Sequence, residues 1–197
     1  MYVNDLPRCL SLSSKMALYA DDAKVYKKIV TYDDCLSLQS ELDQIYRWSL
    51  LWRMDFNLKK CSVISFYRTK TNVHFYYNMN GVVFRQENCI RDLGVSVESD
   101  LTWNIHVGNI VKKAFNVLWF LKRTLGDSVS HVVKKTFYCS LVRPHLESSS
   151  IVWSVITKKN LKLLESVQRR ATKFITNDYR SDYKTRLSSC GLLPLSF

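Results

Sequence analysis

Near residue 100 the hydrophobic pattern changes period, and that change constrains the fold more than any single motif. Upstream, apolar residues come in short runs with alternation, broken by turn residues, as strands read. Downstream they recur at steps of three and four, as on amphipathic helices. Charge changes at the same place: residues 1–100 hold 13 Lys/Arg against 12 Asp/Glu, and residues 101–197 hold 16 against 5. The expected architecture is therefore α+β, with a front part over 1–100 and an all-helical, strongly basic part over 101–197.

In the front part, residues 16–19 and 23–26 read as two strands of a hairpin around Asp21 and Asp22. Thr31 and Asp34 have capping-box spacing, and Leu38, Leu42, Ile45, Trp48 and Trp52 follow as one face of a helix ending near Met54. Residues 57–60 are a polar turn, and 61–66 a strand by composition. Asn80-Gly81 between 73–78 and 82–85 predicts a hairpin whose two turn positions need positive φ. Residues 90–97 read as one further strand, bulged at Gly94. Together these predict a small, mostly antiparallel sheet with one long helix.

In the back part, Ile110, Ala114, Val117, Leu118, Leu121 and Leu125 form a helical stripe stopped by Gly126. Ser128 or Ser130 caps a second helix carrying Val133, Phe137 and Leu141, which Pro144 should kink or end. Leu161, Leu164, Val167, Ala171 and Phe174 make a third stripe. Paired bases fall on the outward faces: Lys112-Lys113, Lys122-Arg123, Lys134-Lys135, Lys158-Lys159 and Arg169-Arg170. Trp48, Trp52 and Trp119 are expected in cores, and His74, His106, His131 and His145 at the surface or at caps.

The six cysteines, at 9, 35, 61, 89, 139 and 190, form no CxxC pair, and no histidine stands at zinc-finger spacing. No apolar run approaches the roughly 18 residues of a membrane span, and a secretory leader is not evident. The expectation is a reduced, intracellular protein of the nucleus or cytoplasm, with no membrane partner. The net charge of +12 points first to nucleic acid and second to an anionic membrane surface.

Asp21 and Asp22 offer hard oxygens suited to Mg²⁺ or Mn²⁺. An Asp-Asp pair in a hairpin is also an ordinary turn. Two-metal phosphoryl transfer needs a third carboxylate, for which Asp33, Asp34 and Asp92 are poorly placed in sequence. Lys59 and Lys60, in the turn after the helix, could donate a proton to leaving pyrophosphate or pair with a phosphate. The basic helical faces suit phosphate contacts without base reading, or form a solvated surface.

Tyr19-Ala20-Asp21-Asp22 resembles the Y/F-x-D-D signature of reverse transcriptases. Its setting resembles the non-LTR, LINE-type elements, especially the jockey-like group. Further blocks extend the likeness: Asn4-Asp5-Leu6-Pro7, Asn57 with Lys60, and Leu93-Gly94-Val95 with Leu101-Thr102-Trp103 and His106. Later come Leu141 to Glu147, Val152-Trp153, Glu165 to Lys173, and Gly191-Leu192-Leu193-Pro194-Leu195. The resemblance implies a partial polymerase palm followed by a helical thumb and connecting region. It implies Mg²⁺ or Mn²⁺ on Asp21 and Asp22, with Tyr19 and Ala20 under the primer end. Lys60 would lie near the incoming dNTP, and Leu93 and Gly94 in the primer grip. Lys112, Lys113, Lys122, Arg123, Lys134, Lys135, Arg169 and Arg170 would track an RNA template or RNA–DNA duplex. The Ser148-Ser149-Ser150 run departs from the family pattern. The family's first palm aspartate, glycine-rich nucleotide segment, fingers and endonuclease are not matched within the chain. The expectation is a palm–thumb fragment that is inactive alone, holds little or no metal by itself, and is prone to associate through open sheet edges. Two other functions stay open: a non-catalytic nucleic-acid-binding module, and a purely structural helical protein.

Overall fold

The computed structural model describes residues 4–67, 73–126, 128–153 and 157–195. Two compact units divide the chain, Met1–Asn88 and Cys89–Phe197.

The first unit opens with a single 3₁₀ turn, Leu6–Cys9, whose Leu6 is buried. Strands β1 (Ser14–Tyr19) and β2 (Asp22–Lys27) pair antiparallel in the expected hairpin. Helix α1 (Tyr32–Trp52) starts at the expected capping box: Asp34 N–H donates to Thr31 Oγ1, and Thr31 N–H to Asp34 Oδ2. Cys35, Ile45 and Trp48 of α1 meet Leu6, Tyr77, Met79 and Phe84 in the core. Trp52 is a correction. It is 46% exposed, on the last turn of the helix, with the Trp48 ring at 6.4 Å.

The remaining strands of this unit are shorter than the sequence predicts. They are β3 (Ser62–Val63), β4 (Asn78–Met79), β5 (Val82–Val83) and β6 (Arg85–Gln86). Asn80 and Gly81 have φ of +51° and +74°, so the predicted turn joins β4 and β5. β3 pairs parallel with β6, and the described strands form separate two-stranded ribbons rather than one sheet. A helix side chain explains why β4 has no second strand. Gln39 accepts from Asn78 N–H at 3.0 Å and donates to Asn78 O at 2.9 Å, so its amide occupies the bonds another strand would make.

The second unit begins twelve residues ahead of the change in period. Strands β7 (Cys89–Asp92) and β8 (Val95–Glu98) form a hairpin, where one bulged strand is the sequence expectation. Leu93 and Gly94 are its two turn residues, with φ of +45° and +90°. The hairpin joins the helical unit because it caps and packs on helix α2 (Asn104–Leu125). Glu98 Oε1 accepts from Ile105 N–H at 2.9 Å, serving the helix start that Trp103 leaves uncapped. Ser96 N–H donates to His106 Nδ1 at 3.2 Å, and Val95 lies in the helical core.

Helix α3 (His131–Phe137), capped by Ser130, continues through a π-helical segment, Tyr138–Val142, into α4 (Arg143–Glu147). Arg143 N–H donates to Tyr138 O, five residues back, so the widened turn accommodates Pro144 without ending the rod. The buried face here is Lys134, Tyr138, Val142 and Leu146, one residue beyond the expected Val133, Phe137 and Leu141, which are exposed. Tyr138 fixes that rotation by donating to Gln168 Oε1 at 2.8 Å in the core. Then come α5 (Ser150–Trp153), α6 (Lys158–Thr176) and α7 (Tyr183–Cys190), the last without a signal in the expected pattern. α2 and α6 pack against each other, and α6 against α7.

His106 corrects the expectation of a surface histidine: it is 3% exposed, with Trp153 at 5.3 Å. Accepting at Nδ1 requires the neutral ring, and burial followed by the Lys113 charge pushes its pKa down. The native state therefore takes the proton less readily than the unfolded chain. The resulting stability is full above about pH 6.5 and declines as pH falls through the folded-state value. Thermal unfolding at about pH 7.5 and about pH 5.5 should show the acid loss in the wild type and a smaller one in His106→Asn.

Candidate metal and nucleic-acid sites

The two-residue turn of the first hairpin is Ala20-Asp21, and Tyr19 pairs directly with Asp22. Cross-strand partners share a face. One face therefore carries Met16, Leu18 and Val25 toward α1, with Ser14 and Lys27. The other carries Lys15, Ala17, Tyr19, Asp22, Lys24 and Tyr26. Asp21 and Asp22 are both exposed, Tyr19 is 63% exposed, and Ala20 has φ of +53°. A non-glycine residue in that region costs on the order of 1 kcal/mol, strain that a turn free to vary would shed by using glycine.

The hairpin stays on α1 through a buried ion pair. Lys27 Nζ donates to Glu41 Oε1 at 3.2 Å, with side chains 3% and 5% exposed. Ser11 Oγ donates to the same oxygen at 2.6 Å, and Lys27 also donates to Ser37 Oγ at 2.6 Å. Burial pushes the Glu41 pKa up, but the Ser11 hydroxyl and Lys27 ammonium outweigh it and hold the carboxyl below its usual range.

As a metal site the tip is half complete. Two adjacent carboxylates suit Mg²⁺, which keeps several waters and takes one or two protein carboxylates with substrate phosphates. Among the described residues no three His, Cys, Asp or Glu side chains converge on a point. Asp33 and Asp34 stand in the first turn of α1, with Asp34 engaged in the cap, and Asp92 ends β7. Lys60 is exposed in the turn after α1, with its N–H donating to Asn57 O. No hydrogen bond or ion pair joins it to either aspartate.

In the helical unit Lys112, Lys113, Arg123, Lys158, Lys159, Arg169 and Arg170 are exposed, and Lys122 and Lys135 half-buried. Lys134 is the correction. It is 1% exposed with its ammonium 5.1 Å from the Phe174 ring, so it faces the core and offers nothing to a phosphate. The Tyr138–Gln168 bond turns it inward. Trp119 also departs from expectation: at 47% exposure it is a surface ring, with Lys122 Nζ at 4.9 Å and Arg170 at 5.9 Å from its centroid. Leu93, 54% exposed, and Gly94 form a turn tip rather than a strand interior. The sequence reading missed Phe115 and Leu163 beside Trp119. Phe115, Trp119 and Lys122 at i, i+4 and i+7 were the available signal, offset by one residue from the buried stripe.

The chain is 26% identical over 170 residues to the RNA-directed DNA polymerase from mobile element jockey of Drosophila melanogaster, covering 82% of this chain and 18% of that protein. It is 24% identical over 168 residues to the probable RNA-directed DNA polymerase from transposon BS of the same fly, with the same coverage. The chain is similar to the polymerases of non-LTR retrotransposons. It spans about a fifth of the length of these curated relatives (18%). No family model matches, and no solved structure matches at significance. Among the described residues no helix is long and apolar enough to cross a membrane.

Glu41→Ala should lower stability by about 3 kcal/mol, because it strands the buried Lys27 ammonium. It should also speed hydrogen exchange at the hairpin amides. A depressed carboxyl pKa gives stability present above about pH 4.3 and lost as pH falls through the folded-state value. The variant's acid-denaturation curve should lack that portion.

Proposed function

We propose that this chain is part of a retrotransposon RNA-directed DNA polymerase, with the first unit a partial palm and the helical unit its thumb and connecting region. One observation supports this most: a tight hairpin exposes Asp21 and Asp22 beside Tyr19 in a chain similar to two such polymerases over 82% of its length. Asp21 and Asp22 would hold divalent metal, which supplies neutralisation of the charge developing on the attacking and leaving oxygens. Tyr19 and Ala20 support the primer end, and Lys60 meets the phosphates of the incoming dNTP. Leu93 and Gly94 touch the primer strand, while Lys112, Lys113, Lys122, Arg123, Lys135, Arg169 and Arg170 hold the RNA–DNA duplex by its phosphates.

Because no third acid converges among the described residues, these residues by themselves do not fix two ions in register, and the chain does not polymerise alone. That same observation favours a second reading, a basic nucleic-acid-binding module without catalysis. Incubation with a primed RNA template, dNTPs and Mg²⁺ or Mn²⁺ should give no incorporation. Extension that disappears in Asp21→Ala would overturn the inactivity and identify a self-sufficient enzyme. Binding of an RNA–DNA duplex should weaken with salt, and Lys112→Ala and Lys113→Ala should each reduce the log–log slope by about 1. Absence of duplex binding at low salt would leave the structural reading.

A further inference from the structure

A groove of about 450 Å³ runs between α2 and α6. Its walls include Phe115 and Trp119 from α2 and Leu163 and Arg170 from α6, with Lys112 and Gly108 also lining it. The Arg170 guanidinium lies 5.3 Å from the Phe115 ring and 5.9 Å from that of Trp119. Lys122 Nζ lies 4.9 Å from the Trp119 ring and 5.9 Å from that of Phe174. Burial, then the charges of Arg170 and Lys173, push the Lys122 pKa down. Among the described residues no carboxylate pairs with Lys112, Lys122, Arg170 or Lys173.

We propose that this groove holds an unpaired stretch of nucleic acid, with a base on the Trp119 ring and flanking phosphates on Arg170, Lys122 and Lys112. Charge and shape select this occupant. Cations crowded without acids repel one another, and a polyanion relieves that repulsion. The half-exposed indole and the adjacent Phe115 offer π faces within reach of the same cations, the pairing that single-strand binders use. A duplex keeps its bases stacked and would present phosphates but no ring to Trp119. The inference rests on the reading that the helical unit contacts nucleic acid, and adds which form of it enters this groove.

The test is fluorescence anisotropy at low salt with the full chain, a labelled oligouridine of roughly a dozen nucleotides, and a blunt RNA–DNA duplex. Trp119→Ala should weaken oligouridine binding about 5- to 150-fold, and Trp119→Phe much less. Duplex binding should change by about twofold or less, since the phosphate contacts remain. Gly108→Leu gives a second route. A Cβ at Gly108 meets nothing within 4 Å, so leucine occupies the groove while favouring the helix. It should weaken oligouridine as Trp119→Ala does. Tight oligouridine binding indifferent to Trp119→Ala overturns the groove proposal and leaves the duplex reading standing, as does an equal loss on single strand and duplex. Trp119-dependent binding to phosphatidylserine vesicles without oligouridine binding assigns the groove to membrane and overturns it too. If the wild type binds neither nucleic acid, the polymerase reading fails along with this one.

Discussion

A two-stranded ribbon is marginal by itself in water, and the ribbon that carries Asp21 and Asp22 has no third strand among the described residues. Its order depends on α1. Met16, Leu18 and Val25 give it an apolar face, and the Lys27–Glu41 pair fixes its register against the helix. A pair buried on both sides contributes little net stability compared with apolar residues of the same size, but it tolerates only one alignment. A one-residue slip would turn Met16 and Leu18 outward and bring Tyr19 and Asp22 under the helix. The exposure of the acidic tip thus follows from a contact at the opposite end of the same strands.

The helical unit uses buried polar groups in a similar way. Gln168 is fully enclosed, yet it accepts from Tyr138 and donates to Leu193 O at 2.9 Å. Glu165 takes Leu195 N–H at 3.0 Å and the Tyr183 hydroxyl. Between them these two groups on α6 bond Tyr138, Tyr183 and the segment 193–195, so the helix has one rotation at which all are satisfied. That rotation sends Arg169 and Arg170 outward and sets Leu163 and Arg170 across from Phe115 and Trp119.

Strong local signals in the sequence were sufficient where the chain decides structure by itself. The Thr31 capping box, the Asn80-Gly81 turn and the stop at Gly126 are all set by a few adjacent residues. Elements decided by distant partners were not legible. Gln39 ends a ribbon 39 positions away, Glu98 caps a helix its own hairpin precedes, and Tyr138 rotates α3 so that a lysine, rather than Val133, Phe137 or Leu141, faces inward. Leu93-Gly94 looked like a bulge because Ile90 stands before it and Val95 and Val97 follow at strand spacing. Only the pairing of Cys89 with Glu98 shows a turn. For the candidate sites, the acidic tip was readable as spacing. The groove was not, because it needs two helices brought together.

The charge distribution bears on the proposed partner. Two exposed carboxylates repel a polyanion, and at 4 Å each unit-charge repulsion is worth about 1 kcal/mol in water and more where solvent is excluded. On the proposed function, divalent metal at the tip would screen that repulsion. Considered by itself, the stretch 101–197 holds basic residues over acids by more than three to one (16 against 5). The geometry of Trp119 separates this surface from a plain electrostatic coat. On the proposed reading the indole, 47% exposed with two cations within 6 Å of its centroid, would meet a base where those cations meet its phosphates. Such a ring lowers solubility and raises the local desolvation of Lys122, costs that a base and its phosphates would offset together and that salt ions alone would not.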